Sequence, residues 1–249
     1  MKVDEIGFIS IEDFEKMKEL GIDNPKDYFD YINNETIDED VEALLLKSVE
    51  HVEVNDRMPN IIVIDNFYND PDSVRDFAMT RNFVPRGEHG AVGHRTLEHY
   101  HFKGIREKFE SLLNSKTKEG TELGGWDYQT NGVFQHCMAE DPFVIHADTQ
   151  QWAAMVYLTP DAPVECGTNM YKHKDTQLDR IDGEHWDIFK GNFYDETPFE
   201  LVDRIGNKYN RCVVMDGKAI HAASKYFGDS IVNDRLFQIF FFDTEDNNE

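Results

Sequence analysis

The hydrophobic pattern changes character twice along the chain. Over residues 1–57 apolar positions recur at helical spacing. "SIEDFEKMKEL" opens with Ser10 and Asp13 in a capping-box arrangement, and "DEDVEALLLKSVEHV" carries its apolar side chains on one helical face. This pattern predicts an N-terminal helical arm (1–57) packed on a core domain (58–249). In the core domain, "NIIVIDNFY" (60–68) reads as a short β-branched strand. "DPDSVRDFAMTRNF" (70–83) reads as a helix with Pro71 just inside its start, and "FKGIREKFESLLNS" (102–115) as a second helix.

From Gly125 onward the period shortens to that of strands. "DYQTNGVFQHC", "FVIHAD", "WAAMVYL", "GTNMYKH", "NRCVVMD", "KAIHAA" and "RLFQIFFF" are short apolar runs broken by turn residues, with no helix between most of them. Such a series predicts a mainly β (α+β) fold, an antiparallel sandwich or barrel of jelly-roll type with flanking helices. The stretch 174–210, rich in Asp, Gly and aromatics, breaks the series and is expected to be an insertion serving as a lid or binding loop. The terminal "DTEDNNE" is expected to fray.

Composition narrows the function classes. At 249 residues, with 40% hydrophobic positions, eighteen Phe and ten Tyr, the chain can fill a sizeable core. Its formal charge of −24 repels phosphate backbones and argues against direct binding of duplex nucleic acid. No run approaches the length of about eighteen apolar residues that a membrane span needs, and "MKVDEIGFIS" lacks the features of a secretory leader, so a cytoplasmic protein without membrane contact is expected. The three cysteines, Cys137, Cys166 and Cys212, contain no CxxC spacing, which argues against a disulfide framework and a zinc finger. No heptad or apolar strip indicates an oligomeric state.

The candidate chemistry lies in "VIHADTQQWAAMVYLTPD" (144–161). Residues two apart on a strand project to one face, so His146 and Asp148 can present an imidazole nitrogen and a carboxylate oxygen to one point. His221, in "KAIHAAS", is a candidate third ligand, because jelly rolls bring distant strands side by side. Two histidines and a carboxylate on one face of an octahedral ion leave three open positions, which suits non-haem Fe(II). Arg235 heads "RLFQIFFF", where Phe237, Ile239 and Phe241 share its face; a guanidinium facing an apolar interior needs an anion, and a carboxylate offers a bidentate match. An ion pair with one of the chain's own acidic residues is the other reading of Arg235.

The ordered series "HAD…WAAMVYLTPD…CGTNMYKHK…NRCVVMDGKAIHAA…DRLFQIFFF" resembles the Fe(II)- and 2-oxoglutarate-dependent oxygenases, in particular the prolyl-hydroxylase-like branch and a subgroup of it found in marine bacteria and phages. The resemblance spans roughly residues 60–243. It implies a double-stranded β-helix fold, His146, Asp148 and His221 as iron ligands, and Arg235 as the partner of the distal carboxylate of 2-oxoglutarate. It also implies that Tyr157 hydrogen-bonds that carboxylate and that His136 lies near the cosubstrate. The implied reaction hydroxylates a C–H bond with O2 while 2-oxoglutarate is converted to succinate and CO2. Asp148 fills the position that a halogenase would leave open for chloride. The chain departs from the family pattern in three places. Cys166 stands for the first of two glycines, Phe237 replaces a Ser two residues after the arginine, and "SKYFGDSIVN" lengthens the approach to Arg235.

The sequence leaves the substrate open, with an amino acid, a peptide side chain or a small metabolite favoured. Two other classes fit parts of the pattern: a cupin-like metalloenzyme that does not use 2-oxoglutarate, and a non-catalytic jelly-roll binding module in which the three residues do not converge. The segment 84–102, with His89, His94, His99, His101 and Arg95, is expected to be a mobile loop over the mouth of the jelly roll, and Arg95, His173 and Trp186 are candidate substrate contacts.

Overall fold

The computed structural model describes residues 60–85, 92–181, 185–189 and 193–245, together with 18, 19 and 21. The chain divides into a unit Met1–Arg57 and a unit Met58–Glu249. The expected N-terminal arm lies almost wholly outside the described residues, where only Lys18 and Glu19 are seen to be helical.

The second unit opens with β1 (Ile61–Ile64) and α1 (Pro71–Met79). Asp70 caps α1 by accepting from the Ser73 amide (3.0 Å) and hydroxyl (2.6 Å), and Pro71 sits in the first turn, where a missing N–H leaves no bond unmade. The segment expected to be a loop instead supplies two short antiparallel strands, β2 (Phe83–Pro85) and β3 (His94–Thr96). After them, α2 (Ile105–Leu113) ends on Asn114 in the left-handed conformation, φ +48°.

The remaining strands are β4 (Val133–Cys137), β5 (Trp152–Tyr157), β6 (Thr168–His173), β7 (Phe199–Ile205), β8 (Cys212–Asp216), β9 (His221–Ala223) and β10 (Arg235–Phe242). They form a seven-stranded sheet in the order β1, β8, β5, β10, β4, β3, β2 and a three-stranded sheet in the order β7, β6, β9. All the pairings are antiparallel. From β5 to β10 the chain passes repeatedly between the two sheets, and this winding makes the core a double-stranded β-helix, or jelly roll.

Two sequence expectations are corrected here. "FVIHAD" forms no strand; it touches the smaller sheet by a single bridge between His146 and His221. Nor is 174–210 wholly an insertion, because it contains β7, which pairs with β6 along its length through a register shift at Met170/Tyr171. β7 is an edge strand whose five inner residues are solvent-exposed, so it lacks the apolar run that marks the other strands.

Strand alternation sorts the core into layers. On one face of the large sheet Phe134, Trp152, Ala154, Val214, Leu236, Phe240 and Phe242 meet Val74 and Ala78 of α1 and Ile105, Phe109 and Leu113 of α2. On the other, Val133, Met155, Val213, Phe237 and Ile239 face Met170 and Ile205 of the smaller sheet. No helix among the described residues is long and apolar enough to cross a membrane.

Phe109 is fully buried, its ring 5.0 Å from that of Phe240, 5.3 Å from Phe242 and 5.4 Å from Phe67. Truncation leaves a cavity that this aromatic cluster cannot fill. Phe109→Ala is therefore expected to cost about 3–5 kcal/mol of stability, read as a shift in the urea midpoint at unchanged slope.

Candidate functional site

A cavity of about 450 Å³ opens between the two sheets, and His146, Asp148, His221 and Arg235 all line it. Main-chain bonds place the first three. His146 N donates to His221 O (3.0 Å) and His221 N to His146 O (2.8 Å), so the two residues face each other as one hydrogen-bonded antiparallel pair. Asp148 is drawn to the same place by its amide, which donates to Gly217 O at 2.6 Å.

The side chains then converge. Ligating atoms from the three residues lie within 4.8 Å of one another. Asp148 Oδ1 is 3.7 Å from His146 Nε2, and Asp148 Oδ2 is 3.6 Å from His221 Nε2, separations too long for hydrogen bonds. His146 Nδ1 bonds Val144 O at 3.0 Å and His221 Nδ1 bonds Ala219 O at 2.8 Å. A carbonyl accepts only, so each Nδ1 carries a proton, and in the neutral ring each Nε2 then turns a lone pair inward. Burial, reinforced by the imidazole of His146, pushes the His221 ring down to about 4 and keeps it neutral. Asp148 Oδ2 is buried with no hydrogen-bond partner. Three acceptors thus face one point with no donor between them, an arrangement that a divalent cation satisfies.

Arg235 is 2% exposed. Its Nε and Nη2 donate to the main-chain oxygens of Cys166 and Gly167, each at 3.3 Å, and its guanidinium lies over the rings of Phe237 (4.6 Å), Tyr157 (5.2 Å) and Tyr226 (5.7 Å). None of the ion pairs among the described residues involves it. The reading of Arg235 as half of an internal ion pair therefore finds no acid. Its face is the one its sequence predicts: Phe237, Ile239 and Phe241 line the cavity with it.

The other two expected site residues, Tyr157 and His136, lie off the cavity wall. Tyr157 is fully buried and does not line the cavity; its hydroxyl bonds Thr168 Oγ1 at 2.8 Å, and Thr168 does line it. His136 faces away, into the layer between β4 and the helices, because alternation along β4 turns Gln135 toward the cavity and His136 from it. Gln135 is the residue the sequence reading missed, and it bonds Arg95 Nε at 2.7 Å and Val92 O at 3.0 Å. Tyr128 and Tyr226 were likewise not anticipated as cavity residues.

The remaining candidates separate. Arg95 and Trp186 line the cavity. His173 instead bonds Thr176 Oγ1 at 3.0 Å and packs on Phe199. His101 is turned onto Trp126 and Asn131 O, His94 stacks on His136, and His89 lies outside the described residues.

No family model and no curated protein matches the chain. Solved structures do show similarity. HygX from Streptomyces hygroscopicus, crystallised with nickel, 2-oxoglutarate and hygromycin B, aligns over 74% of this chain and 82% of its own at 10% identity and a TM-score of 0.46. A prolyl hydroxylase from Trichoplax adhaerens, in complex with a hypoxia inducible factor peptide, aligns over 84% and 94% at 11% identity and a TM-score of 0.44. A Pseudomonas putida prolyl-4-hydroxylase aligns over 75% and 94% at 10% identity and a TM-score of 0.40. Identities and scores at this level carry no residue's role across, so the roles rest on the geometry above.

Gly167 supports Arg235 from a crowded position: a Cβ there would stand 1.9 Å from Ile205 O. Gly167→Ala is expected to destabilise the protein by about 1–3 kcal/mol, measured by chemical denaturation. An unchanged midpoint would show that β6 and β7 can move apart at no cost.

Proposed function

We propose that this protein is an Fe(II)- and 2-oxoglutarate-dependent oxygenase that hydroxylates a C–H bond of an amino acid, peptide or small metabolite. The observation that carries this reading is the buried guanidinium of Arg235, without a carboxylate partner among the described residues, on the same cavity as a histidine, an aspartate and a histidine whose acceptors converge. A buried cation and a divalent-cation site facing one cavity suit a ligand that carries an anion at each end.

In this reading His146 Nε2, Asp148 and His221 Nε2 hold the metal, and Val144 O and Ala219 O fix the two imidazoles in the tautomer that can ligate. Bound there, Fe(II) supplies the redox chemistry by which O2 and 2-oxoglutarate become succinate, CO2 and a hydroxyl group on the substrate carbon. Arg235 neutralises the far carboxylate of 2-oxoglutarate and sets its angle in the cavity. Tyr157 acts at one remove, since its hydroxyl orients Thr168 and its ring lies beside the guanidinium. The walls formed by Met155, Phe237, Ile239 and Phe241 keep water from the reacting atoms. Gln135 and Arg95 offer polar groups for the substrate itself.

Anaerobic titration of the Fe(II)-loaded protein with 2-oxoglutarate tests the reading through the visible charge-transfer absorption that chelation of the metal produces. The band is expected in the wild type, and in Arg235→Ala at 2-oxoglutarate concentrations at least about tenfold higher, because a charge-assisted pair is lost. Metal without a band would indicate a cupin-like enzyme that does not use 2-oxoglutarate. In a parallel titration His221→Ala is expected to weaken Co(II) binding by more than about 100-fold, followed by the visible spectrum of the ion. Equal affinity in mutant and wild type would remove the metal site and leave a jelly-roll binding module.

A further inference from the structure

We infer that His136 and Asp234 form a positioning pair that holds Arg235 in place for the far carboxylate of 2-oxoglutarate. The inference rests on the reading of Arg235 given above. Asp234 is completely buried, and its Oδ2 meets His136 Nδ1 at 2.5 Å, a contact between the start of β10 and the neighbouring strand β4. Asp234 and Arg235 are consecutive, so their side chains leave the strand on opposite faces. The carboxylate is therefore tied down behind the sheet, directly under the residue whose guanidinium points into the cavity in front.

The main chain at this point is anchored as well. Asp234 N donates to Ser230 O (2.8 Å), Asp234 O accepts from Thr159 Oγ1 (2.5 Å), and the same Thr159 oxygen accepts from Leu236 N (2.9 Å). Both neighbours of Arg235 are thus fixed, Asp234 through its main chain and its side chain. Burial pushes the Asp234 carboxyl up, against the opposing effect of His136, and its Oδ1 has no hydrogen-bond partner among the described residues. Keeping an acid in such a place is costly, and the return is a strong, directional bond to a ring that is itself clamped. His136 stacks on His94 (4.9 Å, 14° between planes) and meets the edge of Phe83 (5.0 Å). His94 precedes Arg95 on β3, so the pair couples the strand carrying Arg235 to the strand carrying a cavity-lining arginine.

The test measures binding by the full-length protein, with Arg235→Ala as reference. Calorimetry follows 2-oxoglutarate binding to the Co(II)-loaded chain, the Co(II) spectrum follows metal affinity, and thermal unfolding follows stability. His136→Leu is expected to weaken 2-oxoglutarate binding roughly tenfold while leaving Co(II) affinity within about twofold of wild type. His136→Asn, whose side-chain N–H replaces that of the imidazole, is expected to recover binding to within about threefold. If His136→Leu does not fold, Asp234→Asn takes its place, with an expected loss of roughly threefold to tenfold. A variant that unfolds at lower temperature yet binds 2-oxoglutarate like the wild type overturns the inference and leaves the role of Arg235 intact. Wild-type binding by Arg235→Ala removes that role, and the inference with it.

Discussion

The period of two along β10 is the constraint on which the rest of this structure turns. The strand lies inside the large sheet, bonded to β5 on one side and β4 on the other, and neither of its faces meets solvent broadly. Leu236, Phe240 and Phe242 therefore anchor the helices, while Arg235, Phe237, Ile239 and Phe241 line the cavity. A shift of one residue in register would exchange the two sets, putting the guanidinium among the aromatic side chains under α2. The large aromatic cluster around Phe109 makes that exchange prohibitive, so packing on one side of the sheet fixes the chemistry on the other.

The second constraint is electrostatic. A chain with a formal charge of −24 places a buried guanidinium, two imidazoles and an aspartate on one cavity. Low dielectric strengthens every interaction there. His221 stays neutral because burial disfavours its charged form, Asp148 keeps an oxygen without a donor, and Arg235 is met by main-chain dipoles, aromatic faces and the Met155 sulfur. Each group is incompletely satisfied within the described protein, and the groups share one space, as the proposed binding of metal and 2-oxoglutarate requires.

Much of the core was legible because buried strands carry continuous apolar runs: β5, β8 and β10 announce themselves, as do α1 through Asp70 and Pro71. β7 was not legible, since an exposed edge strand has no such run, and β2 and β3 were too short to stand out from a glycine-rich loop. His146, Asp148, His221 and Arg235 could be picked from their order along the chain. That His136 lies off the cavity wall was not legible, because the sequence of β4, "VFQHC", alternates without saying which of its two buried faces meets the cavity. Gln135 was overlooked for the same reason.

The sequence by itself determined the helices α1 and α2, the buried strands, the jelly-roll class and the face of β10 that Arg235 shares, because these follow from local periodicity and from the cost of burying polar groups. Tertiary structure alone decided that His146 and His221 exchange main-chain hydrogen bonds, that Tyr157 reaches the cavity only through Thr168, and that His136 serves Asp234 behind the sheet. Those outcomes depend on strand pairings between residues tens of positions apart, and the register of such pairings is set by the packing of the whole domain.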